Sequence, residues 1–428
     1  MLFNQTLTYI SLFSGAGVGC YGLLEEGFEC VATNEILEKR LNIQRINRKC
    51  KFDESYISGD IKKPETKEKI LKQIGFYSKK FGNDRVDLVV ATPPCQGMSV
   101  ANHKKKNDEI KRNSLVVESI DLIKQIKPRF FILENVPSFY KTGCIDKNDN
   151  LLEIGSMIEQ NLSGDYMLYD EVINFKNFGA NSSRTRTLVI GVCKEFKDFI
   201  SALEFFPDFK QEKTLKKVIG SLKPLAWGEY DSADFYHSFR TYPKHMQEWI
   251  KDLKEGQSAF ENVQDAISDL AYLCSNEGAF ESDYLNPIQS SYQALMRKNS
   301  PKLYNHQATN HSQAALEKLK LINKEQGKEC LPKNLHGKQQ FKSTWGRLNW
   351  NKISPTIDTR FDTPSNGTNS HPELHRSITP REAARIQSFS DNYIFYGNKT
   401  SVCKQIGNAV PPLLALALGK AILKSLRK

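Results

Sequence analysis

A cysteine and a glutamate carry the chemistry that this sequence could perform. Cys95 follows the pair Pro93-Pro94 at the end of one apolar run, and Glu134 ends a second apolar run. Two adjacent prolines stiffen the turn and fix the direction of the thiol. A thiolate adds to an electron-poor ring such as cytosine when an acid holds the ring nitrogen. The pair therefore predicts nucleophilic addition assisted by a carboxyl group.

The other cysteines are interpreted as packing residues, because free buried cysteine is usually inert. This interpretation applies to Cys20, Cys30, Cys50, Cys144, Cys193, Cys274, Cys330 and Cys403. Nine cysteines without a CxxC pair indicate a reducing compartment and argue against a structural zinc site. For Glu134 the plain alternative is a surface carboxylate at a strand end, but the following Asn135-Val136-Pro137 favours a fixed turn.

The N-terminal part of the chain has the pattern of a nucleoside site. Phe13-Ser14-Gly15-Ala16-Gly17 is a glycine-rich turn between a predicted strand and a predicted helix, and glycine lets a backbone approach a ligand closely. Glu35 ends the next strand at the spacing where an acid reaches ribose hydroxyls. Asp60 is placed to accept from an adenine amino group, with a helix N-cap as its alternative. The full phosphate fingerprint is missing, which favours a nucleoside without pyrophosphate.

Strand-like and helix-like segments alternate from about Leu7 to Val192, which predicts a parallel sheet with crossover helices. The predicted strands are Thr8 to Leu12, Glu29 to Asn34, Val86 to Ala91, Phe130 to Glu134, Tyr166 to Asn174 and Thr187 to Val192. The predicted helices are Val18 to Glu26, Leu37 to Asn47, Leu115 to Lys127 and Leu151 to Gln160. Cys95 and Glu134 are expected to meet at the mouth of this doubly wound sheet.

Size and charge limit the class of protein. The 428 residues are enough for two domains, and a composition of 39% hydrophobic and 25% charged residues is that of a globular protein. No apolar run reaches the roughly 18 residues of a membrane span, and no secretory signal is recognisable, so a cytoplasmic protein is expected. The net charge of +11 indicates either a solvated lysine-rich surface or a polyanionic partner such as nucleic acid.

The composition and periodicity of the sequence change after Cys193. Residues from about 195 to 340 are polar and irregular, and ordered motifs return from Trp345 onward. This pattern predicts a large catalytic and cofactor-binding domain formed by residues 1–195 plus 395–428. It also predicts a small domain, residues 196–394, that contains a recognition region.

The ordered motifs resemble those of the DNA (cytosine-5) methyltransferases that use S-adenosylmethionine, over roughly residues 8–192 and 344–426. In that family's order they are Phe13-Ser14-Gly15-Ala16-Gly17, Glu35, Gly59-Asp60-Ile61, Pro93-Pro94-Cys95-Gln96, Arg112-Asn113-Ser114-Leu115, Glu134-Asn135-Val136, Arg184-Thr185-Arg186, Arg347 onward, and Gln405-Ile406-Gly407-Asn408-Ala409-Val410-Pro411-Pro412. The resemblance implies an α/β fold. A doubly wound, Rossmann-like S-adenosylmethionine-dependent methyltransferase domain would carry a smaller, irregular target recognition domain.

The resemblance also implies roles for single residues. Cys95 is the nucleophile that attacks C6, Glu134 holds N3 and the exocyclic amine, and Arg184 and Arg186 contact the flipped nucleotide. The residues implied to hold S-adenosylmethionine are Phe13, Gly15, Gly17, Glu35, Ile36, Asp60, Ile61, Pro94, Leu115, Asn408 and Val410. Those implied to contact DNA are Ser99, Lys104, Lys105, Lys106, Arg112 and Arg297. No metal is needed, because the sulfonium is already an activated donor.

Further residues of the recognition region are candidates for reading bases or phosphates. They are Arg240, His306, His311, Lys333 and His336, and for each of them a solvated surface residue is the alternative. Direct readout in the major groove would pair Arg or Lys with guanine and Asn or Gln with adenine.

The expected function is sequence-specific methyl transfer from S-adenosylmethionine to C5 of a cytosine that leaves the DNA stack. Transfer would proceed through a covalent Cys95–C6 adduct. A monomeric prokaryotic enzyme that protects host DNA from a cognate restriction endonuclease is expected, with a solitary or phage-borne enzyme as an equal alternative. A tRNA cytosine-5 methyltransferase and a catalytically silent DNA-binding regulator stay open as alternatives. The long insert between Val192 and Trp345 favours duplex DNA over tRNA.

Overall fold

The computed structural model describes residues 6–94, 113–196, 262–323, 326–336 and 343–426. Two compact units make up the chain. The sheet unit comprises Met1–Asn174, Thr185–Phe206 and Ala415–Lys428, and the insert unit comprises Phe175–Arg184 and Pro207–Leu414. Seven predicted site residues lie outside the described ranges, namely Cys95, Ser99, Lys104, Lys105, Lys106, Arg112 and Arg240.

This division differs from the predicted domains at three places. Phe175–Arg184 belongs to the insert unit, the sheet unit extends to Phe206 rather than to residue 195, and the chain returns to the sheet unit at Ala415 rather than at residue 395. Hydrogen bonds inside the insert unit account for the first and the last difference. Ser183 N donates to Ser354 O at 2.9 Å, and Gln387 Nε2 donates to Ile406 O.

The sheet unit alternates strands and helices. Its strands are β1 Thr8–Leu12, β2 Glu29–Glu35, β3 Tyr56–Ser58, β4 Leu88–Ala91, β5 Phe130–Asn135, β6 Gly143–Ile145, β7 Leu151–Glu153, β8 Tyr166–Asn174 and β9 Thr185–Cys193. Its helices are α1 Tyr21–Glu25, α2 Glu38–Ile46, α3 Pro64–Phe81, α4 Leu115–Ile126 and α5 Ile154–Leu162.

Seven strands form one sheet in the order β3-β2-β1-β4-β5-β9-β8. The five from β3 to β5 are parallel, whereas β9 runs antiparallel to both of its neighbours. The prediction of a parallel sheet is therefore wrong for β9. A parallel return needs a crossover of about a dozen residues or more, usually with a helix. The connection Phe175–Arg184 is shorter, and its regular element is a 3₁₀ turn.

Continuous apolar runs build the centre of the sheet. Every residue of β1 and β4 is buried, as expected for parallel strands with both faces covered. The helix α3 adds Ile70 and Tyr77 to the same core. It begins at Pro64, where the missing N–H of proline would have no partner within the helix in any case.

The structure agrees with many predicted elements and adds others. Strands β1 and β8 have the predicted bounds. Strand β3 and helix α3 are absent from the predicted elements. Helix α3 has a weak apolar pattern, because it buries the polar Thr66 and Gln73 on its inner face. The predicted helix from Leu151 is wrong at its start, since Leu151–Glu153 is strand β7, paired with β6, and the helix begins at Ile154.

The insert unit has short elements joined by irregular segments. Its helices are α6 Val263–Ile267, α7 Ser291–Arg297, α8 Gln313–Leu321, α9 Pro380–Ile386 and α10 Lys399–Gly407, and α11 Pro412–Leu426 begins in this unit and continues into the sheet unit. Strands β10 Gly278–Ser282 and β11 Leu303–Gln307 pair antiparallel. The described part of the predicted irregular stretch thus contains three short helices and one strand pair.

Three arginines fill the centre of the insert unit. Arg376, Arg381 and Arg385 are fully buried, and buried charges need partners with good geometry. Arg385 bonds both oxygens of Asp391, with Nε–Oδ1 at 2.9 Å and Nη2–Oδ2 at 2.6 Å, and it also pairs with Asp269. The core of this unit is therefore partly ionic.

The other two guanidinium groups are satisfied as well. Arg376 makes a two-pronged ion pair with Glu382, at 2.8 and 2.7 Å. Arg381 donates to three backbone carbonyls. Glu382 also closes a capping box at the start of α9, because Thr379 N donates to Glu382 Oε2 and Thr379 Oγ1 accepts from Glu382 N. The ionic core and the helix cap form one network.

Arg347 organises a second part of the insert unit. It is 5% exposed and donates to Leu319 and Ile322 O at the end of α8, and to His371 and Leu374 O. One guanidinium group therefore joins two segments that are distant in the sequence.

One stretch among the described residues, Lys399–Lys424, has the length and hydropathy of a membrane span. Its most apolar window is 67% buried inside the structure. Buried helices of globular cores have the same composition, so the stretch is weak support for a membrane segment.

The change Arg385→Met is expected to unfold the insert unit selectively. It removes the main counter-charge of Asp391 and one of the two of Asp269, which costs about 3–5 kcal/mol. All four tryptophans lie between residues 207 and 414, so tryptophan fluorescence in urea reports on this unit. The control Lys302→Met removes an exposed ion pair with Asp283 and should change the free energy of unfolding by less than about 1 kcal/mol. Equal losses in the two variants would contradict a structural role for the buried network.

Acid is expected to weaken the insert unit. Burial lowers the pKa of His371 and of His311 to about 4, so the unfolded chain, with an ordinary pKa of about 6.5, binds these protons more tightly. The stability that these histidines contribute is present above about pH 6.5 and falls as the pH is lowered towards 4. Urea midpoints at pH 7 and pH 5, read by tryptophan fluorescence, measure the loss, and His371→Gln should reduce it. A midpoint that is the same at both pH values would contradict this prediction.

Candidate active site

Five parallel strands of the sheet unit end at one edge, called here the carboxyl edge. Strands β2 and β3 lie on one side of β1, and β4 and β5 lie on the other. The boundary between β1 and β4 is where such sheets bind ligands. The predicted residues at this edge are Phe13, Gly15, Gly17, Glu35, Ile36, Asp60, Ile61, Pro94 and Glu134. The structure therefore brings most of the predicted cofactor residues to the same edge as Glu134.

The turn after β1 has a strained backbone. Phe13 has φ +53°, in the left-handed region that bulky residues rarely adopt. Thr92 Oγ1 donates to Phe13 O at 3.1 Å, and Ser14 N donates to Asn34 O at 3.0 Å. Strain of about 1–3 kcal/mol persists where the surroundings determine the backbone, most often at functional sites. The ends of β4 and β2 thus shape this turn.

Glu35 is buried beneath the turn although it is charged. Its Oε2 accepts from Gly15 N at 2.9 Å, and its Oε1 accepts from Leu37 N at 3.1 Å. Arg40 Nη1 lies 3.4 Å from Oε1. A carboxylate offers about four acceptor positions, so Glu35 retains capacity for ribose hydroxyls.

The turn after β3 is tied to β2. Asn34 Nδ2 donates to Gly59 O at 3.1 Å, which fixes the turn that carries Asp60. The Asp60 carboxylate accepts from the backbone N–H of Lys62 at 3.0 Å. The N-cap of α3 is Lys63, so the alternative that Asp60 caps this helix is wrong.

The groups at the carboxyl edge fit S-adenosylmethionine. The side chain of Ile36 is 60% exposed and offers an apolar surface for an adenine ring. Glu35 and Asp60 supply acceptors for hydroxyl and amino groups, and their negative charge suits a sulfonium. A Cβ built on Gly15 would meet no atom within 4 Å, which leaves space beside the turn. The donor set and the open space both suit a cationic nucleoside.

The turn that leads to Cys95 is fastened to β5. Asn135 is buried, its Nδ2 donates to Pro93 O at 2.9 Å, and its Oδ1 accepts from Val136 N at 2.9 Å. One amide thus joins the Pro93-Pro94 turn to the turn after Glu134. Cys95 follows this turn in the sequence and lies outside the described residues.

Glu134 and Arg186 form an ion pair on adjacent strands. Arg186 Nε lies 3.2 Å from Glu134 Oε1, and the side chains are 16% and 13% exposed. Such a partner fixes the direction of the carboxyl group. Of the four predicted catalytic residues, the structure brings these two together at the carboxyl edge.

Leu115 begins α4, and Asn113 and Ser114 precede it. The β6–β7 hairpin anchors this helix start, because Ile145 N donates to Ser114 Oγ at 2.9 Å and Asn113 Nδ2 donates to Gly143 O at 3.1 Å. The position of Leu115 is therefore fixed by the hairpin.

The remaining predicted residues of the described chain lie in the insert unit. Arg184 is buried and donates to Ile357 O at 3.3 Å and to Gly407 O. Gly407 ends α10, and Asn408 and Val410 follow it, exposed and half-buried. Arg184 therefore orders the backbone beside the predicted cofactor motif, and its contact with the nucleotide stays a prediction.

Arg297, a predicted DNA contact, is engaged inside the insert unit. Its Nε donates to Asp269 Oδ2 at 2.8 Å, its Nη2 donates to Asn286 O at 2.8 Å, and its guanidinium lies 4.1 Å from the ring centroid of Tyr284. This geometry gives Arg297 a structural role, and its contact with DNA stays a prediction.

Two candidate base readers also serve the packing of the insert unit. His306 is buried, with Nδ1 3.0 Å from Thr379 Oγ1. His311 Nε2 accepts from Ser377 N at 3.0 Å. Lys333, in contrast, is exposed and His336 is half-buried.

Four polar residues of the site have no role predicted from the sequence. Asn34, Gln44, Thr92 and Asn135 each hydrogen-bond to a turn at the carboxyl edge. Asn34, Thr92 and Asn135 end or directly follow a predicted strand, and a polar residue in that position is a recognisable signal. Gln44 gives no such signal, because it lies inside α2.

The sheet order, with β9 alone running against the other strands and acids at the carboxyl edge, is that of the S-adenosylmethionine-dependent methyltransferases. The sequence profile of the C-5 cytosine-specific DNA methylases matches residues 7–424. The chain belongs to this family and is a DNA (cytosine-5) methyltransferase.

Named relatives and a solved structure agree with this assignment. The chain is 30% identical to the type II methyltransferase M.DdeI of Desulfomicrobium norvegicum over 357 residues, 79% of this chain and 72% of that protein. It is 25% identical to the type II methyltransferase M1.HphI of Haemophilus parahaemolyticus, over 99% of this chain and 88% of the relative. The crystal structure of a DNA modification methyltransferase encoded within an E. coli prophage superposes with a TM-score of 0.65 at 22% identity, covering 99% of this chain and 100% of that one.

The change Asn135→Ala is expected to slow methyl transfer more than it weakens cofactor binding. It releases Pro93 O from β5, and a misplacement of about 1 Å can lower a rate about 100-fold. We expect kcat to fall about 10- to 100-fold, while calorimetry shows a smaller change in the Kd for S-adenosylmethionine, because Pro94 is one of several residues predicted to hold it. The control Asn161→Ala removes a similar bond, to Met157 O at 2.9 Å on α5, and should leave kcat unchanged. A rise in the Kd of Asn135→Ala as large as the fall in kcat would show that Asn135 supports the whole site rather than the turn.

Proposed function

We propose that this methyltransferase acts on a cytosine turned out of duplex DNA, through a covalent bond between Cys95 Sγ and C6. The observation that carries the proposal is the ion pair of Glu134 and Arg186, beside the turn that Asn135 fastens. The C5 and C6 atoms are inaccessible inside a duplex, so the base must leave the stack.

In the proposed reaction, Glu134 acts as a carboxylic acid: it accepts from the exocyclic amine and donates its proton to N3 as negative charge develops there, and it takes the proton back when the S–C6 bond breaks. Arg186 holds the carboxyl group in that direction. The Cys95 thiolate forms the S–C6 bond, and the electron pair of the C5–C6 double bond moves to C5. After methylation a base removes the C5 proton, the S–C6 bond breaks, and the thiolate is restored. The covalent bond divides one difficult substitution into easier steps.

S-adenosylmethionine, when bound, supplies the activated methyl group for C5. We assign its ribose hydroxyls to Glu35, its adenine amino group to Asp60 and its adenine face to Ile36. The other residues proposed to hold it are Phe13, Gly15, Gly17, Ile61, Pro94, Leu115, Asn408 and Val410. Arg184 and Arg186 are proposed to contact the flipped nucleotide. The residues proposed to contact DNA are Ser99, Lys104, Lys105, Lys106, Arg112 and Arg297.

We also propose that the enzyme protects host DNA from a cognate restriction endonuclease, as a monomer in the cytoplasm. The support is that the relatives M.DdeI and M1.HphI are named type II methyltransferases. A genome without a nuclease gene beside this one would count against the pairing, and light scattering of the purified protein measures the oligomeric state.

Methyl transfer to unmethylated plasmid DNA tests the substrate and its sequence. We expect sequencing that distinguishes 5-methylcytosine to find methylation at every copy of one short motif. If the wild-type protein binds S-adenosylmethionine but methylates tRNA instead of the plasmid, tRNA rather than duplex DNA is the substrate.

Cys95→Ala is expected to abolish methyl transfer and to retain the binding of DNA and cofactor. Glu134→Gln should lower kcat by about 100- to 10,000-fold with little change in cofactor affinity.

Duplex DNA with 5-fluorocytosine at the target should trap the wild-type enzyme in a complex that survives denaturation, because fluorine at C5 cannot be removed as a proton is. Absence of the trapped complex in an active enzyme would refute the covalent step, and loss of DNA binding in Cys95→Ala would make Cys95 structural.

A further inference from the structure

Gln44 lies within α2 with its side-chain amide directly against the turn Ser14–Gly17. It is fully buried. Its Nε2 donates to Ser14 Oγ and to Gly15 O, each at 2.7 Å, and its Oε1 accepts from Thr33 Oγ1 at 2.7 Å. Both donors of this amide are therefore used on the turn that follows β1.

The chemistry of the neighbours fixes the direction of these hydrogen bonds. Gly15 O can only accept, so the NH2 group of Gln44 must face the turn. The Lys49 ammonium can only donate, and buried Lys49 Nζ donates to Thr33 Oγ1 at 3.1 Å. Thr33 then gives its own proton to Gln44 Oε1. Donation thus runs in one direction from Lys49 to the turn.

The peptide of Gly15 is held from both sides. Its N–H donates to Glu35 Oε2 at 2.9 Å, and its carbonyl accepts from Gln44 Nε2. Ser14 Oγ, which accepts from Gln44, donates onward to a backbone carbonyl of β2 at 3.0 Å. Gly17 has φ +86°, and a Cβ there would lie 2.6 Å from Gln44 Cγ. The turn therefore rests directly on the glutamine side chain.

We infer that Gln44 is a positioning residue for the cofactor, with the orientation of its amide fixed by Thr33 and Lys49. The inference rests on the proposed binding of S-adenosylmethionine at the carboxyl edge. Glu35 is both a partner of Gly15 and the proposed acceptor of the ribose hydroxyls. A turn released from Gln44 would therefore also weaken one of the contacts that hold Glu35. The effect falls on cofactor affinity, so Kd and KM for S-adenosylmethionine rise while kcat at saturating cofactor is retained.

The test uses Gln44→Ala and Thr33→Val, with Gln73→Ala as the matched control. Thr33→Val keeps the size of the side chain and removes the hydroxyl that orients the amide. Gln73 is a second buried glutamine of the sheet unit, and its Nε2 donates to Ser55 Oγ at 3.0 Å, away from the turn. All three changes remove a buried hydrogen bond, but the control leaves the cofactor turn intact.

Calorimetry with S-adenosylmethionine gives the first readout. We expect Gln44→Ala to raise the Kd at least about tenfold, and Thr33→Val to raise it as well. Gln73→Ala should lower the Tm but keep the wild-type Kd. Hydrogen exchange of the cofactor-free protein gives the second readout. The amides of residues 14–17 should exchange faster in Gln44→Ala and Thr33→Val than in the wild type or the control.

The outcomes separate this inference from the proposed function. A wild-type Kd in folded Gln44→Ala, together with unchanged exchange of residues 14–17, would overturn the inference and leave the proposed function standing. A wild-type protein that does not bind S-adenosylmethionine would overturn both. If Gln44→Ala does not fold, the same two readouts on Thr33→Val decide.

Discussion

The common direction of five neighbouring strands is the constraint on which the active site depends. Their shared edge gathers turns that are up to a hundred or more residues apart in the sequence. Hydrogen bonds then join each turn to the next strand end in the order of the sheet, from β5 through β4, β1 and β2 to β3. The links are Asn135 to Pro93, Thr92 to Phe13, Ser14 to Asn34, and Asn34 to Gly59. A displacement of one turn is therefore resisted by all of its neighbours.

The two units solve the problem of a stable interior by different means. The sheet unit buries continuous apolar strands between helices, and such packing tolerates exchange among apolar residues of similar volume. The insert unit places Arg376, Arg381 and Arg385 at its centre and matches them with Glu382, Asp391 and backbone carbonyls. Each member of that network is necessary for the others, because a buried charge without its partner is costly.

Local patterns explain why much of the sheet unit was predictable and the insert unit was not. Apolar runs and turn residues identify β1, β4 and β5 and the residues at their ends. The direction of β9 depends on the length of the connection Phe175–Arg184 that precedes it. The start of α5 depends on the pairing of β7 with β6. Arg385 and Asp269 are 116 residues apart, so nothing near either residue shows the pair. For the same reason the sequence predicts Arg297 only as a DNA contact, although it bonds the same aspartate.

The insert unit is made of two separate segments of chain, and this has a consequence for the exchange of gene fragments between relatives. Asn181 Oδ1 accepts from Ser354 N at 3.3 Å, and Ser183 N donates to Ser354 O at 2.9 Å. A fragment that encodes Pro207–Leu414 alone would arrive without the ten residues that its Ser354 segment bonds. Recombination that transplants this unit must therefore carry both segments together or preserve the fit between them.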